Sequence, residues 1–300
     1  MLTHIPVLVN EVVSYLNVGP GKRYLDCTVG AGGHSEAILE KSSPDGFLWG
    51  LDKDRTALTL AEERLSQRFR GRYHLFHADF KDFQTVIDLE IKGVVHGVIA
   101  DLGVSSMQIG QPERGFSFRE SGPLDMRMDQ SSSLKASDLI QNLSEKQMNE
   151  LIRTYGEERY SNRISKAIVN EREKNPILTT VQLAELIKKN VPPVYRYGRI
   201  HPATRTFQAL RIVVNRELEA LSDFIKNIFQ YLTIGGRLAI ISFHSLEDRI
   251  VKRTFLSLVQ KTKKDPEFQW TKKPICPSLD EVRENPASRS AKLRVIERRV

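Results

Sequence analysis

The sequence predicts an α/β protein with a Rossmann-like, mostly parallel sheet that an all-helical segment interrupts. Three observations lead to this fold class. Short apolar runs alternate with helical patterns over the first hundred residues, which is typical of parallel strands buried on both faces. Residues 108–204 contain no convincing strand pattern. Strand patterns then return at 237–243 and 292–299.

The elements of the first part follow one another in the order strand, helix, strand. Each predicted strand is a short apolar run, and each predicted helix begins just after a polar or glycine-rich turn. The predicted strands are 23–29, 46–52, 73–79 and 97–103, and the predicted helices are 32–41 and 55–69. This arrangement is one half of a Rossmann-like sheet.

The middle of the chain is predicted to be a helical insertion. A loop rich in glycine, serine, proline and charge precedes helical patterns at 136–156, 157–174 and 179–190. A long amphipathic pattern then predicts one helix from Thr204 to Leu232, ended by Gly235-Gly236. We therefore expect a discontinuous domain of residues 1–107 and 205–300, with an inserted domain of residues 108–204.

The composition argues against several classes of protein. No apolar run approaches the roughly 18 residues of a membrane span. The first thirty residues match neither a signal peptide nor a transit peptide, so we expect a cytoplasmic protein without a membrane partner. Cys27 and Cys276 are far apart and lack metal-ligand spacing, so we expect neither a disulfide nor a bound metal.

The distribution of positive charge indicates a polyanionic partner. The net charge is +8, and the stretch from Tyr195 to Arg216 has five arginines and no acid. Arginines interleaved with aromatic residues suit phosphates and unstacked bases. We predict that RNA phosphates bind to Arg196, Arg199 and Arg205, and that the inserted domain of residues 108–204 recognises RNA. A solvated arginine-rich surface is the alternative.

A glycine-rich loop follows the first predicted strand and opens a helix. Glycines allow a tight turn and a close backbone approach to a ligand, and the helix N-terminus offers free N–H groups. The loop contains Gly30, Gly32 and Gly33, with His34 after them. The dinucleotide fingerprint G-x-G-x-x-G requires a glycine where Ser35 stands, so the pattern disfavours NAD.

Polar and aromatic residues also follow the next two strands. Asp52 ends the second strand, where a carboxylate can accept hydrogen bonds from both ribose hydroxyls. Asp79-Phe80 ends the third and pairs an acceptor with an aromatic face, which suits adenine. Each could be only a solvated strand end. Together they favour an adenosine ligand without a pyrophosphate, namely S-adenosylmethionine.

Two further residues are candidates for the chemistry. Asp101 ends the fourth strand, and a carboxylate there is costly unless it has a partner or a task. His244 follows the strand at 237–243 and reaches the same edge of the sheet. The structural alternative for His244 is a helix entry capped by Ser245, with Asp248 three residues further on.

Several sequence blocks, in order from Asp26 to Arg294, resemble the MraW family of bacterial ribosomal RNA small subunit methyltransferases H. The blocks are DCTVGAGGHS, DLGVSSxQ, RGFSF, GPLDMRMD, YGEER, HPATRTFQALRI, ISFHSLEDRIVK and ENPASRSAKLR. This resemblance implies a class I S-adenosylmethionine-dependent methyltransferase with a helical insertion. It further implies that the substrate is the small ribosomal subunit, methylated at the N4 amino group of a 16S rRNA cytosine in the decoding centre near the P site.

The resemblance also implies a set of cofactor contacts. Carried over by position, they are Gly32, Gly33, His34, Asp52, Phe80, Asp101 and Gln108. We expect Asp101 to accept a hydrogen bond from the amine, with His244 as the second candidate, although Asp101 could serve the cofactor alone.

Two alternative functions come from different classes. A DNA amino-methyltransferase usually carries a proline-proline-aromatic sequence after the acid of the fourth strand, where this chain has Gly103-Val104-Ser105. A non-catalytic rRNA-binding assembly factor would keep the basic stretch but would not need the glycine loop.

Overall fold

The structure is a computed structural model that describes residues 6–261 and 268–299. The chain forms two compact units. The first, here the α/β unit, comprises Met1–Gly103 and Leu218–Val300, and the second, here the helical unit, comprises Val104–Glu217. Within the described ranges, no helix has the length and apolar composition that a membrane crossing requires.

The α/β unit is built on one seven-stranded sheet, which confirms the predicted fold class. Its strands are β1 Arg23–Asp26, β2 Phe47–Asp52, β3 Tyr73–His77, β4 Val95–Asp101, β5 Leu232–Ser242, β6 Phe268–Trp270 and β7 Lys292–Arg298. Their order is β3-β2-β1-β4-β5-β7-β6. Strands β1 to β5 pair in parallel, whereas β7 runs antiparallel to both β5 and β6. The carboxyl ends of five strands therefore share one edge.

Helices connect most of these strands and fill the insertion. In the α/β unit they are α1 Val9–Tyr15, α2 Gly33–Lys41, α3 Arg55–Leu65 and α4 Phe83–Val86. In the helical unit they are α5 Ser106–Ile109, α6 Ala136–Asn142, α7 Glu145–Gly156, α8 Ser161–Arg172, α9 Thr180–Asn190, α10 Pro193–Arg196 and α11 Thr204–Asn215. The α/β unit resumes with α12 Leu221–Ile228, α13 Ser245–Lys261 and α14 Leu279–Glu284.

The sheet is buried on both faces because its inner strands carry apolar side chains that point to either side. Successive side chains of a strand point to opposite faces, so Tyr24 and Leu25 of β1 belong to different hydrophobic clusters. Leu25 packs in the cluster that contains Phe224 of α12 and Phe255 of α13. Tyr24 packs in the cluster that contains Ile38 of α2. This rigid support fixes the positions of the strand ends.

The helical unit has its own hydrophobic core. Helices α6 to α9 and α11 bury aliphatic side chains against one another, among them Ile140, Ile152, Ile168 and Leu183. The only β pairing among the described residues of this unit is an isolated bridge between Pro123 and Thr179. The absence of a strand pattern in the sequence is therefore matched by the described structure.

The prediction of one long helix from Thr204 to Leu232 is wrong, because the helix that begins at Thr204 ends at Asn215. Arg216 adopts a left-handed conformation with φ of 51°. The Asn215 side chain donates to Met126 O at 2.7 Å and accepts from Met128 N at 2.7 Å. These tertiary bonds hold the end of α11 in the helical unit.

The break also moves the boundary between the units. Phe207 and Leu210 of α11 belong to the core of the helical unit, so the predicted return to the α/β domain at residue 205 is too early. The other boundary lies at 103/104 rather than at the predicted 107/108. Gly235 and Gly236, predicted to end a helix, lie inside β5, and Gly235 has φ of 77°.

Candidate functional site

The glycine loop turns tightly between β1 and α2. Gly30 and Gly32 have φ of 55° and 81°, a backbone conformation that residues other than glycine rarely adopt. A Cβ atom on Gly32 would also lie 3.2 Å from the Cα of Ala61. Gly32 caps α2, whose first backbone N–H groups have no partner within the helix. The loop therefore has the geometry that an anionic or polar ligand requires.

The buried carboxylate of Asp26 accepts hydrogen bonds from this loop and from the first turn of α2. Asp26 accepts a hydrogen bond from Ser35 Oγ at 2.7 Å and another from Thr28 N at 3.1 Å. Burial raises the pKa of Asp26 to about 6, and the Ser35 bond opposes that rise. Ser35, whose presence disfavours the dinucleotide fingerprint, is thus the partner of Asp26. Sequence reasoning missed this role, although the spacing from strand end to first helical turn was a usable signal.

Asp52 connects the end of β2 to the same loop. Its Oδ2 accepts from Gly30 N at 2.7 Å, and its Oδ1 accepts from Asp54 N at 2.8 Å. Burial raises the pKa of Asp52, while these two backbone bonds lower it. Each carboxylate oxygen keeps a second lone pair, so both can still accept a hydroxyl.

Asp101 and His34 meet where β4 ends beside α2. His34 Nε2 lies 3.5 Å from Asp101 Oδ2, and the Asp101 backbone N–H donates to Thr28 Oγ1 at 2.6 Å. The His34 side chain is 6 % exposed. Within the described residues, neither ring nitrogen of His34 nor Oδ1 of Asp101 has a hydrogen-bond partner. Because unpaired buried polar atoms are costly, these atoms fit a polar ligand.

Phe80 and Asp79 follow β3 as predicted. The Phe80 ring packs edge-on against Phe224 with centroids 5.0 Å apart, which fixes its orientation. Asp79 accepts from Lys81 N at 3.2 Å and caps a short 3₁₀ turn over Phe80–Asp82. The aromatic face and the acceptor therefore sit at consecutive positions on the rim.

His244 follows β5 and lies beside a buried acid that sequence reasoning missed. Its Nε2 is 3.1 Å from Glu247 Oε1, and Glu247 Oε2 accepts from Phe243 N at 2.9 Å. Asp248, the next residue, forms ion pairs with Lys292 and Arg294. Burial raises the pKa of Asp248, but these two partners outweigh it and leave the pKa below its ordinary value.

The remaining predicted residues lie in the helical unit. Gln108 Oε1 accepts from Ser105 N at 3.0 Å, and Gln108 N donates to Ser105 Oγ at 3.2 Å. Arg196 donates to the carbonyls of Lys189 and Val191. Arg205 donates to the carbonyl of Glu157 at 2.6 Å, and Arg199 is exposed.

The α/β unit thus brings seven predicted residues to one edge of its sheet. They are Gly32, Gly33, His34, Asp52, Phe80, Asp101 and His244. Gln108 and the three arginines belong to the other unit. The sheet order, the antiparallel β7 and this rim together define an S-adenosylmethionine-dependent methyltransferase of class I.

Comparison with known proteins gives the family. The chain belongs to the MraW methylase family, whose model matches residues 1–299, and this confirms the resemblance seen in the sequence. A protein of Persephonella marina named ribosomal RNA small subunit methyltransferase H is 48% identical over 299 residues, 99% of this chain and 100% of that protein. A Nostoc protein of the same name is 50% identical over 302 residues, 99% of this chain and 93% of its own.

Among solved structures, an rRNA methylase from Streptococcus thermophilus is 12% identical, with a TM-score of 0.45. The match covers 98% of this chain and 93% of that one.

Proposed function

We propose that the protein transfers a methyl group from S-adenosylmethionine to the N4 amino group of a 16S rRNA cytosine, in the decoding centre near the P site. The observation that carries the proposal is the unpartnered Oδ1 of Asp101 beside His34 and the glycine loop. Relatives named ribosomal RNA small subunit methyltransferase H support rRNA as the substrate.

Residues of the rim and Gln108 would hold the cofactor. The glycine loop at Gly32 and Gly33 offers close backbone approach, and the two oxygens of Asp52 would accept the ribose hydroxyls. Phe80 would cover the adenine, with His34, Asp101 and Gln108 completing the set. The buried unpaired atoms of His34 and Asp101 support this fit. When bound, S-adenosylmethionine supplies an electrophilic methyl group.

Asp101 would assist the attack of the cytosine amine. That amine is a weak nucleophile because its lone pair is delocalised into the ring. A carboxylate that accepts a hydrogen bond from the amine favours the pyramidal nitrogen of the transition state, where positive charge develops. The proton that the amine loses would pass to Asp101, with His244 as the second candidate. Attack by an exocyclic amine needs no covalent enzyme–base intermediate, and Cys27 is buried directly after β1.

The helical unit would recognise the RNA. Arg196, Arg199 and Arg205 are proposed to bind phosphates of 16S rRNA. Arg196 and Arg205 already donate to backbone carbonyls, which holds their side chains in place and leaves further N–H groups for a phosphate.

A nucleoside measurement tests the function directly. Small ribosomal subunits from a strain that lacks the gene would be incubated with the purified protein and S-adenosylmethionine, digested to nucleosides and analysed by mass spectrometry. We expect N4-methylcytidine from 16S rRNA and none in reactions without the protein. N4-methyldeoxycytidine from a DNA substrate would indicate a DNA amino-methyltransferase. Binding to subunits without any methylated product would indicate an assembly factor.

A further inference from the structure

The segment 193–200 of the helical unit presents an aromatic-basic surface, defined here as Val194, Tyr197, Arg199 and Ile200. Val194 is 90% exposed and Tyr197 is 84% exposed, the highest values among the large apolar side chains that the structure describes. Ile200 is 50% exposed. Large apolar side chains exposed to this degree at three positions within seven residues of chain indicate a binding surface.

The residues that flank Tyr197 are fixed to the body of the unit. Tyr195 donates from its hydroxyl to Oε2 of the buried Glu158 at 2.5 Å. The guanidinium of Arg159 lies 4.8 Å from the ring centre of Tyr160 and 4.9 Å from that of Tyr195. This cluster anchors the chain two residues before Tyr197.

Arg196 supplies a second anchor. It donates to Lys189 O at 2.6 Å and to Val191 O at 3.0 Å, at the end of α9. The side chains of Tyr195 and Arg196 therefore both fix the backbone of the segment to the rest of the helical unit, while the Tyr197 ring stays in solvent. A surface that is ordered before binding loses less conformational entropy when its partner arrives.

The charge around this surface is positive. No acidic residue occurs between Tyr195 and Arg216. Arg199 makes no hydrogen bond or ion pair with any other residue in the described part of the chain, so its charge is available. The neighbouring end of α9 adds Lys189, whereas Lys188 is paired with Glu185 at 3.8 Å. A cationic surface with an exposed aromatic ring is complementary to a phosphate backbone with unstacked bases.

We propose that the aromatic-basic surface binds an unpaired stretch of the RNA substrate, with a base stacked on Tyr197 and a neighbouring phosphate on Arg199. This inference rests on the proposed function and adds to it, because a phosphate surface alone does not distinguish unpaired RNA from a duplex. The stacked base provides that distinction, since bases within a helix have no free face.

The test measures RNA binding by the full-length protein at several salt concentrations. The probes are unmodified small ribosomal subunits and a fluorescent single-stranded RNA of about 12 nucleotides, within the range of stacking sites. We expect Tyr197→Ala to weaken binding of the single strand by about 5-fold to 100-fold, with an unchanged salt dependence. Tyr197→Phe, which keeps the ring, is expected to bind within about threefold of the parent. Arg199→Gln should reduce the slope of log K against log salt by about 0.7.

Controls separate this inference from the proposed function. Tyr15→Ala removes an exposed tyrosine of the α/β unit and should leave RNA binding unchanged. Equal binding by Tyr197→Ala and the parent would overturn the stacking proposal, and so would a Phe variant as weak as the Ala variant. If the parent bound and methylated the subunit while Tyr197→Ala did so equally well, only this inference would fail. If the parent produced no methylated RNA, the proposed function itself would fail.

Discussion

His34 Nε2 lies 3.5 Å from Asp101 Oδ2, and both side chains reach this point from different elements. His34 stands in the first turn of α2, and Asp101 is the last residue of β4. Their remaining polar atoms have no hydrogen-bond partner among residues 6–261 and 268–299. A carboxylate in this position has an acceptor oxygen free for a ligand and a neighbouring imidazole that limits its movement.

The first prediction separates catalysis from binding at Asp101. Asp101→Asn keeps the shape and one acceptor oxygen but removes the charge. Because the contact should strengthen as positive charge develops on the amine, we expect the single-turnover rate to fall by about 100-fold or more. Cofactor affinity should change by less than about tenfold. Rapid-quench kinetics at saturating S-adenosylmethionine provide the rate, and calorimetry provides the affinity.

The opposite pattern would reassign the chemistry. If affinity for S-adenosylmethionine collapsed while the saturated rate survived, Asp101 would be a cofactor ligand only, and His244 would become the leading candidate. His244→Ala is the matched variant, since a normal saturated rate there would confine His244 to its contacts with Glu247.

The second prediction concerns Asp52. Asp52→Ala should weaken S-adenosylmethionine binding by about 1–3 kcal/mol, because the ribose hydroxyls lose their acceptor. The variant also leaves Gly30 N and Asp54 N without their partner, so its melting temperature should fall. Titration calorimetry and thermal unfolding measure the two effects. Asp54→Ala, which removes the cap of α3 but spares the Asp52 carboxylate, is the control. Unchanged cofactor affinity in Asp52→Ala would remove Asp52 from the site.

A third prediction uses the pKa of Asp26, which burial raises from 3.8 to about 6. Between these two pH values the Asp26 carboxyl stays largely protonated in the folded state but is largely ionised in the unfolded state. The contribution of Asp26 to stability is therefore largest below about pH 4 and is lost as the pH rises to about 6, by about 3 kcal/mol in total. The Asp26→Asn variant has no ionisable group at this position, so its stability does not fall with pH for this reason.

Urea unfolding of parent and variant between pH 4 and pH 7 measures the difference. The stability of Asp26→Asn relative to the parent should rise with pH across this window and level off above it. Ser35→Ala removes a hydrogen bond that lowers the pKa of Asp26. The pH range over which this variant loses stability should therefore extend to higher pH. A difference between parent and Asp26→Asn that does not vary with pH would contradict the prediction.

The fourth prediction concerns the three arginines proposed to bind rRNA. Replacing Arg196, Arg199 and Arg205 together with Gln should weaken binding to the small subunit and flatten its salt dependence. Each lost phosphate contact reduces the slope by about one. Arg283→Gln on α14, an exposed arginine paired with Asp280, serves as the control for loss of an arginine outside the proposed RNA surface, and its salt dependence should be unchanged. An unaltered slope in the triple variant would favour a merely solvated surface.

The fifth prediction tests the boundary of the helical unit. Arg211 forms two bonds with Glu217, at 2.9 and 2.8 Å, and Glu217 is buried. Glu217→Ala leaves the partly buried guanidinium of Arg211 without this carboxylate, and the loss of these charge-assisted hydrogen bonds should cost about 1–3 kcal/mol of unfolding free energy. Arg211→Met combined with Glu217→Leu should recover much of that loss. Denaturant unfolding decides, and a Glu217→Ala variant as stable as the parent would show that the pair does not hold the end of α11.

The sequence alone predicted the fold class and most of the rim. Apolar runs and turn residues are local signals, so they located the strands β1 to β5 and β7. The carboxyl ends of parallel strands share one edge, so the sequence alone groups Asp52, Phe80 and Asp101. Together with the glycine loop these strand ends favoured S-adenosylmethionine, and the sequence blocks then indicated the family.

Other features needed the tertiary structure because they depend on contacts between residues distant in sequence. The apolar pattern of 204–232 runs on without interruption, yet Asn215 bonds to Met126 and Met128 and Arg211 pairs with Glu217, so the helix ends where no local signal stands. Likewise, Asp248 bonds to Lys292 and Arg294 of β7, which lie 44 and 46 positions away along the chain. Periodicity records which face of an element is apolar, whereas only the folded chain decides which polar partner each end meets.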